Sequence, residues 1–181
     1  IIIFTQHSVT TEFNNASKQI KQSLMAIKKL LAENIQVIIT YPNNDAGGKK
    51  IIKEIKQWAK TNQFYTNLII KKSLGNYFYY GILNLAKDKK IRIACVGNSS
   101  SGIKETAIFG CPTVNIGTRQ KSRLRGSNVL DTNYNNEEIY KAIKKCLYNN
   151  KFRKIAFSTY NPYGIGNTGK KIINFMLKVK L

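Results

Sequence analysis

Arginine is scarce in this chain, yet Arg119, Arg123 and Arg125 fall within one short stretch. Planar guanidinium groups gathered in this way suit a bound anion. Upstream lies the turn Gly97-Asn98-Ser99-Ser100-Ser101-Gly102, with Glu105 shortly beyond. Small residues there let main-chain N–H groups approach phosphate oxygens at the positive end of the following helix, and the hydroxyls of Ser99 and Ser100 add donors. The same turn also reads as a plain helix cap, with Ser101 capping and Glu105 satisfying the first turn. A carboxylate beside phosphates would repel them, so Glu105 suits neutral hydroxyls such as those of a ribose. His7, the single histidine, can donate to a phosphate or transfer a proton. Asn43 and Asp45 can bind a ligand or serve as turn and capping residues. Lys71, Lys72 and Ser73 complete a polar set that fits an anionic, polyhydroxylated ligand.

These residues follow short apolar runs, which fixes the elements that must position them. Strands are predicted over residues 1–5, 37–40, 68–70, 91–96 and 113–116, the last bounded by Pro112 and Gly117. Helical spacing of Ile20, Leu24, Ile27 and Leu31 predicts a helix over 14–32. Further helices are predicted after Asp45, with Ile51, Ile52, Ile55 and Trp58 as the apolar face, and over 77–86, 102–109, 136–148 and 168–179. Strands alternating with helices form βαβ units. The fold class is therefore α/β, a Rossmann-like parallel sheet with helices on both faces, and right-handed crossovers place every strand's carboxyl end along one edge. Lys121 to Asn128 reads as a mobile loop. Gly164-Ile165-Gly166-Asn167-Thr168-Gly169-Lys170 imitates a nucleoside-triphosphate loop, but Lys171 stands where Ser or Thr should hold magnesium and no apolar strand precedes it. A turn into the last helix is expected instead.

At 181 residues and 43% hydrophobic content the chain fits one domain with a real core. The opening Ile1-Ile2-Ile3-Phe4 has no basic region before it, which argues against a signal peptide and for an internal segment of something longer. No apolar stretch approaches the roughly 20 residues of a membrane span. Cys95, Cys111 and Cys146 are odd in number, without a C-x-x-C pair, and a lone histidine cannot complete a zinc site. No metal and no cofactor is expected, the cysteines read as core residues, and a reducing, cytoplasmic setting follows. The net charge of +21 points by itself to nucleic acid, but the lysines are scattered over nearly every helix rather than gathered in a stripe. Tyr77, Phe78, Tyr79 and Tyr80 form the one aromatic cluster, and their helical context assigns them to packing.

The ordered set His7-Ser8-Val9-Thr10-Thr11-Glu12, Tyr41-Pro42-Asn43-Asn44-Asp45-Ala46-Gly47, Gly97 to Glu105, Phe109-Gly110-Cys111-Pro112, Asn115 to Gln120, Gly126-Ser127-Asn128-Val129 and Tyr163-Gly164-Ile165-Gly166-Asn167 resembles the hydrolysing UDP-N-acetylglucosamine 2-epimerases. The related non-hydrolysing enzymes carry an Asp-Ser-Gly-Gly type turn where this chain has Asn98-Ser99-Ser100-Ser101-Gly102. The resemblance implies that residues 1–181 are the C-terminal, UDP-binding half of a GT-B-like two-domain enzyme, with the N-terminal catalytic domain absent. It implies that UDP is eliminated to leave a 2-acetamidoglucal, to which water adds, giving N-acetylmannosamine for sialic-acid-like or other surface sugars.

Carried over residue by residue, Ser99, Ser100 and Arg119 match diphosphate-binding positions within the turn that ends at Gly102. Glu105 matches a ribose contact, Asn43 and Lys71 nucleotide-side contacts, and His7 an active-site histidine near the diphosphate. Ser8 stands where the family usually has Pro, a change expected to loosen the loop presenting His7. Expected partners are UDP-N-acetylglucosamine and UDP, the missing domain and further copies in a homo-oligomer, with neither nucleic acid nor membrane. The competing readings are a UDP-sugar-dependent GT-B glycosyltransferase and, from a different class, a basic nucleic-acid-binding module.

Overall fold

In the computed structural model, which describes residues 1–164 and 166–179, six strands form one parallel sheet. They are β1 (Ile2–Thr5), β2 (Val37–Thr40), β3 (Leu68–Lys71), β4 (Ala94–Gly97), β5 (Thr113–Ile116) and β6 (Val129–Thr132), in the order β3-β2-β1-β4-β5-β6. The helices are α1 (Ala16–Ala32), α2 (Gly48–Lys60), α3 (Gly75–Asn84), α4 (Ser101–Lys104), α5 (Asn136–Tyr148), α6 (Asn150–Phe157) and α7 (Thr168–Met176). The fold is the expected α/β, Rossmann-like one. The turn expected at Gly164 to Gly169 leads into α7, and Ile165 within it lies outside the described residues, as do Lys180 and Leu181, beyond the expected last helix.

Alternation along the strands builds the two faces. Ile2 and Phe4 of β1, with Ala94 and Val96 of β4 and Val114 and Ile116 of β5, pack against Ile20, Leu24, Ile27 and Leu31 of α1, Ile51 and Ile55 of α2, and Ile139 and Ile143 of α5. Ile3 and Cys95 point to the other face, where Leu83, Ala86, Ile93 and Cys111 cover them. Both faces are therefore dry, which explains why β1 reads as a continuous apolar run. All three cysteines are free and buried, and burial pushes the Cys95 thiol up to about 11, so these side chains act as small hydrophobes.

Several expectations are corrected. The strand over 113–116 is followed by a sixth, β6, at the sheet edge. The loop expected to be mobile is tied down by Arg125, which donates from Nη2 to the Gln120 carbonyl at 2.7 Å and pairs with Asp131 of β6. The aromatic cluster does not pack as a whole: Tyr79 is enclosed, whereas Tyr77 is 86% and Phe78 65% exposed. Helix α3 carries no lysine or arginine, so this exposed face lacks the basic interleaving that nucleic-acid stacking requires. No described helix is long and apolar enough to cross a membrane.

Candidate functional site

The sheet order reverses between β1 and β4, and in open parallel sheets the crevice at that reversal, beyond the carboxyl ends of the strands, is where ligands bind. The segments leaving β1 and β4 are therefore adjacent by topology. They are His7 and Asn98 with the serines after it. The side-chain oxygen of Asn98 accepts the His7 main-chain N–H at 2.6 Å, and its amide nitrogen donates to the His7 carbonyl at 2.9 Å. The Asn98 carbonyl in turn accepts from Arg119 Nη1 at 3.2 Å and Gln120 Nε2 at 2.8 Å, both in the segment after β5. Asn98 is fully buried, and this one residue, through its side chain and its main-chain carbonyl, ties together the ends of three strands.

His7 is half-buried, and its Nδ1 accepts the main-chain N–H of Asn43 at 3.0 Å. That bond requires a lone pair on Nδ1, so the neutral ring carries its proton on Nε2 and can donate to an anion. Burial and then the Arg119 guanidinium lower the His7 pKa, against an opposing influence of the Asn43 side chain and the Asp45 carboxylate. Between this lowered value and the ordinary one near 6.5, the unfolded chain binds a proton that the folded chain refuses. The His7 contribution should therefore make stability fall as pH drops through about 6.5 and level off below the folded pKa. Urea midpoints from pH 5 to 7.5 should show a steeper loss than in His7→Gln; parallel profiles would refute it.

The serine turn is open. Ser100 is the N-cap of α4 but makes no side-chain cap bond, and Ser101 does not cap either. The Ser101 hydroxyl donates instead to Glu105 at 2.7 Å and meets the Tyr79 hydroxyl at 2.6 Å. The capping reading of Ser101 thus gives way to a side-chain relay that fixes the Glu105 carboxylate, while the Ser101 main-chain N–H meets the Ser99 hydroxyl at 3.4 Å. Ser99 and Ser100 are part-exposed beside His7's loop. Gly102 is buried, and a Cβ there would lie 3.3 Å from Thr113 and 3.9 Å from Cys95, so its smallness lets α4 lie close on β4 and β5.

Of the three clustered arginines only Arg119 joins His7. Its Nη2 lies 3.4 Å from Asp45, whose same carboxylate oxygen accepts from the Asn43 amide at 2.8 Å. Arg125 is committed to Asp131, and Arg123 is exposed. Lys71 ends β3, two strands from β1, exposed and outside this hydrogen-bonded group. Ser8 is buried with no partner for its hydroxyl, and a Cβ on Gly47 would meet that oxygen at 2.4 Å, so the serine is seated where the Asn43-to-Gly47 turn crosses it. Sequence reasoning missed Asn98 and Gln120 as members of this hydrogen-bonded group. Their signal was present, since Asn98 opens the serine turn and Gln120 follows Arg119, but their partners lie far off along the chain. A cavity of about 310 Å³ sits at the opposite, amino-terminal end of the strands, bordered by Ile93, Pro112 and Arg153. The convergent polar groups instead border an open edge, the geometry of one wall of a cleft. No cluster of potential metal ligands occurs among the described residues.

Comparison with known proteins adds to this geometry. The sequence model of the family described as UDP-N-acetylglucosamine 2-epimerase matches residues 1–177. The chain is 34% identical over 135 residues to a hydrolysing GDP/UDP-N,N'-diacetylbacillosamine 2-epimerase of Campylobacter jejuni, covering 75% of this chain and 33% of that protein. It is 33% identical over 155 residues to a UDP-N-acetylglucosamine 2-epimerase of Neisseria meningitidis, covering 86% of this chain and 37% of the relative. Among solved structures, the Methanocaldococcus jannaschii UDP-GlcNAc 2-epimerase in complex with UDP-GlcNAc and UDP superposes with a TM-score of 0.71 at 19% identity, over 98% of this chain and 45% of that one. The chain spans less than half the length of each of these proteins.

Proposed function

The chain belongs to the UDP-N-acetylglucosamine 2-epimerase family, and from that membership we propose that it is the UDP-binding half of a hydrolysing enzyme. The observation that carries this reading is the meeting of His7, the open Ser99-Ser100 turn and Arg119 at the reversal of strand order. Arg119 and the donors of the serine turn hold the diphosphate, the Nε2–H of His7 donates to it, Glu105 accepts from the ribose hydroxyls, and Asn43 and Lys71 border the nucleotide. The partner is a second Rossmann-like domain of the same polypeptide, completing a GT-B architecture, and the assembled enzyme is a cytoplasmic homo-oligomer. In the reaction, the bond from the sugar's C1 to UDP breaks as C2 gives up its proton to a carboxylate of the other domain, leaving a 2-acetamidoglucal. Water then adds, and the sugar leaves as N-acetylmannosamine, a precursor suited to sialic-acid-like surface sugars. The task of this half is to stabilise the negative charge gathering on departing UDP, which lowers the barrier only if its donors are already aimed there.

Calorimetric titration of the folded chain with UDP tests the reading. Binding is expected, together with release of free UDP and N-acetylmannosamine from UDP-N-acetylglucosamine by the full-length polypeptide without any acceptor. No heat at millimolar UDP would count against the nucleotide site, and turnover only with an acceptor would favour a glycosyltransferase.

A further inference from the structure

We propose that Asn98 is a positioning residue that sets the register between His7 and Arg119, holding the two groups at a fixed spacing before any ligand arrives. The proposal rests on the reading of His7 and Arg119 as diphosphate contacts. Asn98 grips one residue from both sides: its oxygen takes the His7 N–H and its amide gives a hydrogen to the His7 carbonyl, as a neighbouring strand would. β1 ends at Thr5, and the Asn98 main-chain N–H donates to the Thr5 carbonyl at 3.2 Å, so this grip continues the β1–β4 pairing past the last strand residues. His7 is thereby held in line with β4 rather than left on a free loop, and its ring meets the Asn43 N–H on the far side.

The other end of the device is the Asn98 carbonyl, shared by Arg119 and Gln120. Two donors on one buried carbonyl fix where the β5 segment passes, and hence where the Arg119 guanidinium emerges. A serine or glycine at position 98 would satisfy the turn equally well but could not bridge to His7 from both sides. Arrangement of this kind is what preorganisation requires, because a donor misplaced by about 1 Å forfeits much of its effect on developing charge.

Because Asn98 is fully buried, the test pairs two substitutions of it with measurements on the unaltered protein. In the full-length polypeptide labelled with 15N-histidine, with His7 assigned by the difference from His7→Gln, the Nε2–H tautomer should dominate. Asn98→Ala, and the volume-conserving Asn98→Asp, whose carboxylate would face the His7 carbonyl, should mix the tautomers and weaken UDP at least about tenfold, each remaining folded by circular dichroism. Either folded variant keeping the wild-type tautomer, and UDP affinity within about twofold, would reduce Asn98 to a structural role. In the unaltered protein the His7 amide should exchange with solvent as slowly as amides of β4; exchange at the free-peptide rate overturns the grip whatever the variants do. Unchanged UDP binding by His7→Ala would sink the diphosphate role of His7, while the tautomer and exchange readouts would still decide whether Asn98 positions it.

Discussion

Alanine at position 97 should strip away most of the stability of the native fold. Gly97 closes β4 opposite Thr5 of β1, with φ at +130°. A Cβ built there would lie 1.9 Å from the Thr5 carbonyl oxygen and 2.6 Å from its carbon. Those atoms belong to a central strand paired on both sides, so neither can retreat without breaking the sheet at its point of reversal. Backbone strain adds to the collision, because L side chains rarely adopt this φ. The expected cost is at least about 4 kcal/mol, a large part of the roughly 5–15 kcal/mol that holds an ordinary domain together. Gly81, inside α3 with open space around it, provides the control of opposite sign. Gly81→Ala should stabilise by about 0.5–1 kcal/mol, since only helix propensity changes. Urea unfolding followed by circular dichroism checks both, and a Gly97→Ala midpoint close to wild type would refute the steric argument.

The same strand geometry shows which parts of the fold could be read in advance. Five strands were legible because each carries an apolar run that the two helical layers must cover. Val129–Thr132 was not, because β6 lies at the edge of the sheet and presents only Val129 and Leu130 as apolar residues, all four positions being partly or fully exposed. Helix α6 escaped notice for a different reason. A single residue separates it from α5, and that residue is Asn149, whose side chain accepts the Phe152 N–H at 2.8 Å. Capping by a single Asn inside an otherwise helical stretch leaves almost no compositional trace.

Legibility of the site followed a similar division. Residue types announced His7, Ser99, Ser100, Glu105 and Arg119, because histidine and arginine are rare here and serines cluster once. What they could not announce is pairing over distance: Asn98 meets His7 91 positions away, and Arg119 meets Asp45 at a separation of 74. Tyr79 illustrates the limit, since four consecutive aromatics look alike in sequence. Tyr79 turns inward to the Ser101 hydroxyl, where burial raises its pKa, whereas Tyr80 stays more exposed and has its pKa raised by Glu105. Helical phase, set by how α3 sits on β4, separates Tyr79 from Tyr77 and Phe78.

Arg119→Met should weaken UDP binding by about 10- to 100-fold while leaving uridine binding within about twofold. Methionine keeps the apolar stem, so the loss isolates the guanidinium, and uridine lacks the diphosphate that the guanidinium is proposed to hold. Arg119→Lys restores charge without the planar fork and should recover only part of the loss. The Asp45 carboxylate supplies a check on sign. It lies 3.4 Å from Arg119 Nη2 and beside His7, so in the unliganded protein it competes for the group that a diphosphate needs. Asp45→Asn removes that competing anion and should tighten UDP several-fold, provided Arg119 is present; in the Arg119→Met background the gain should shrink, because the two changes act on one interaction. Arg119→Met lowering UDP and uridine affinity alike would mean that Arg119 supports the loop through the Asn98 carbonyl and does not touch phosphate. Additive effects of the two substitutions would separate Asp45 from the nucleotide and leave it as a partner of the Asn43 turn alone.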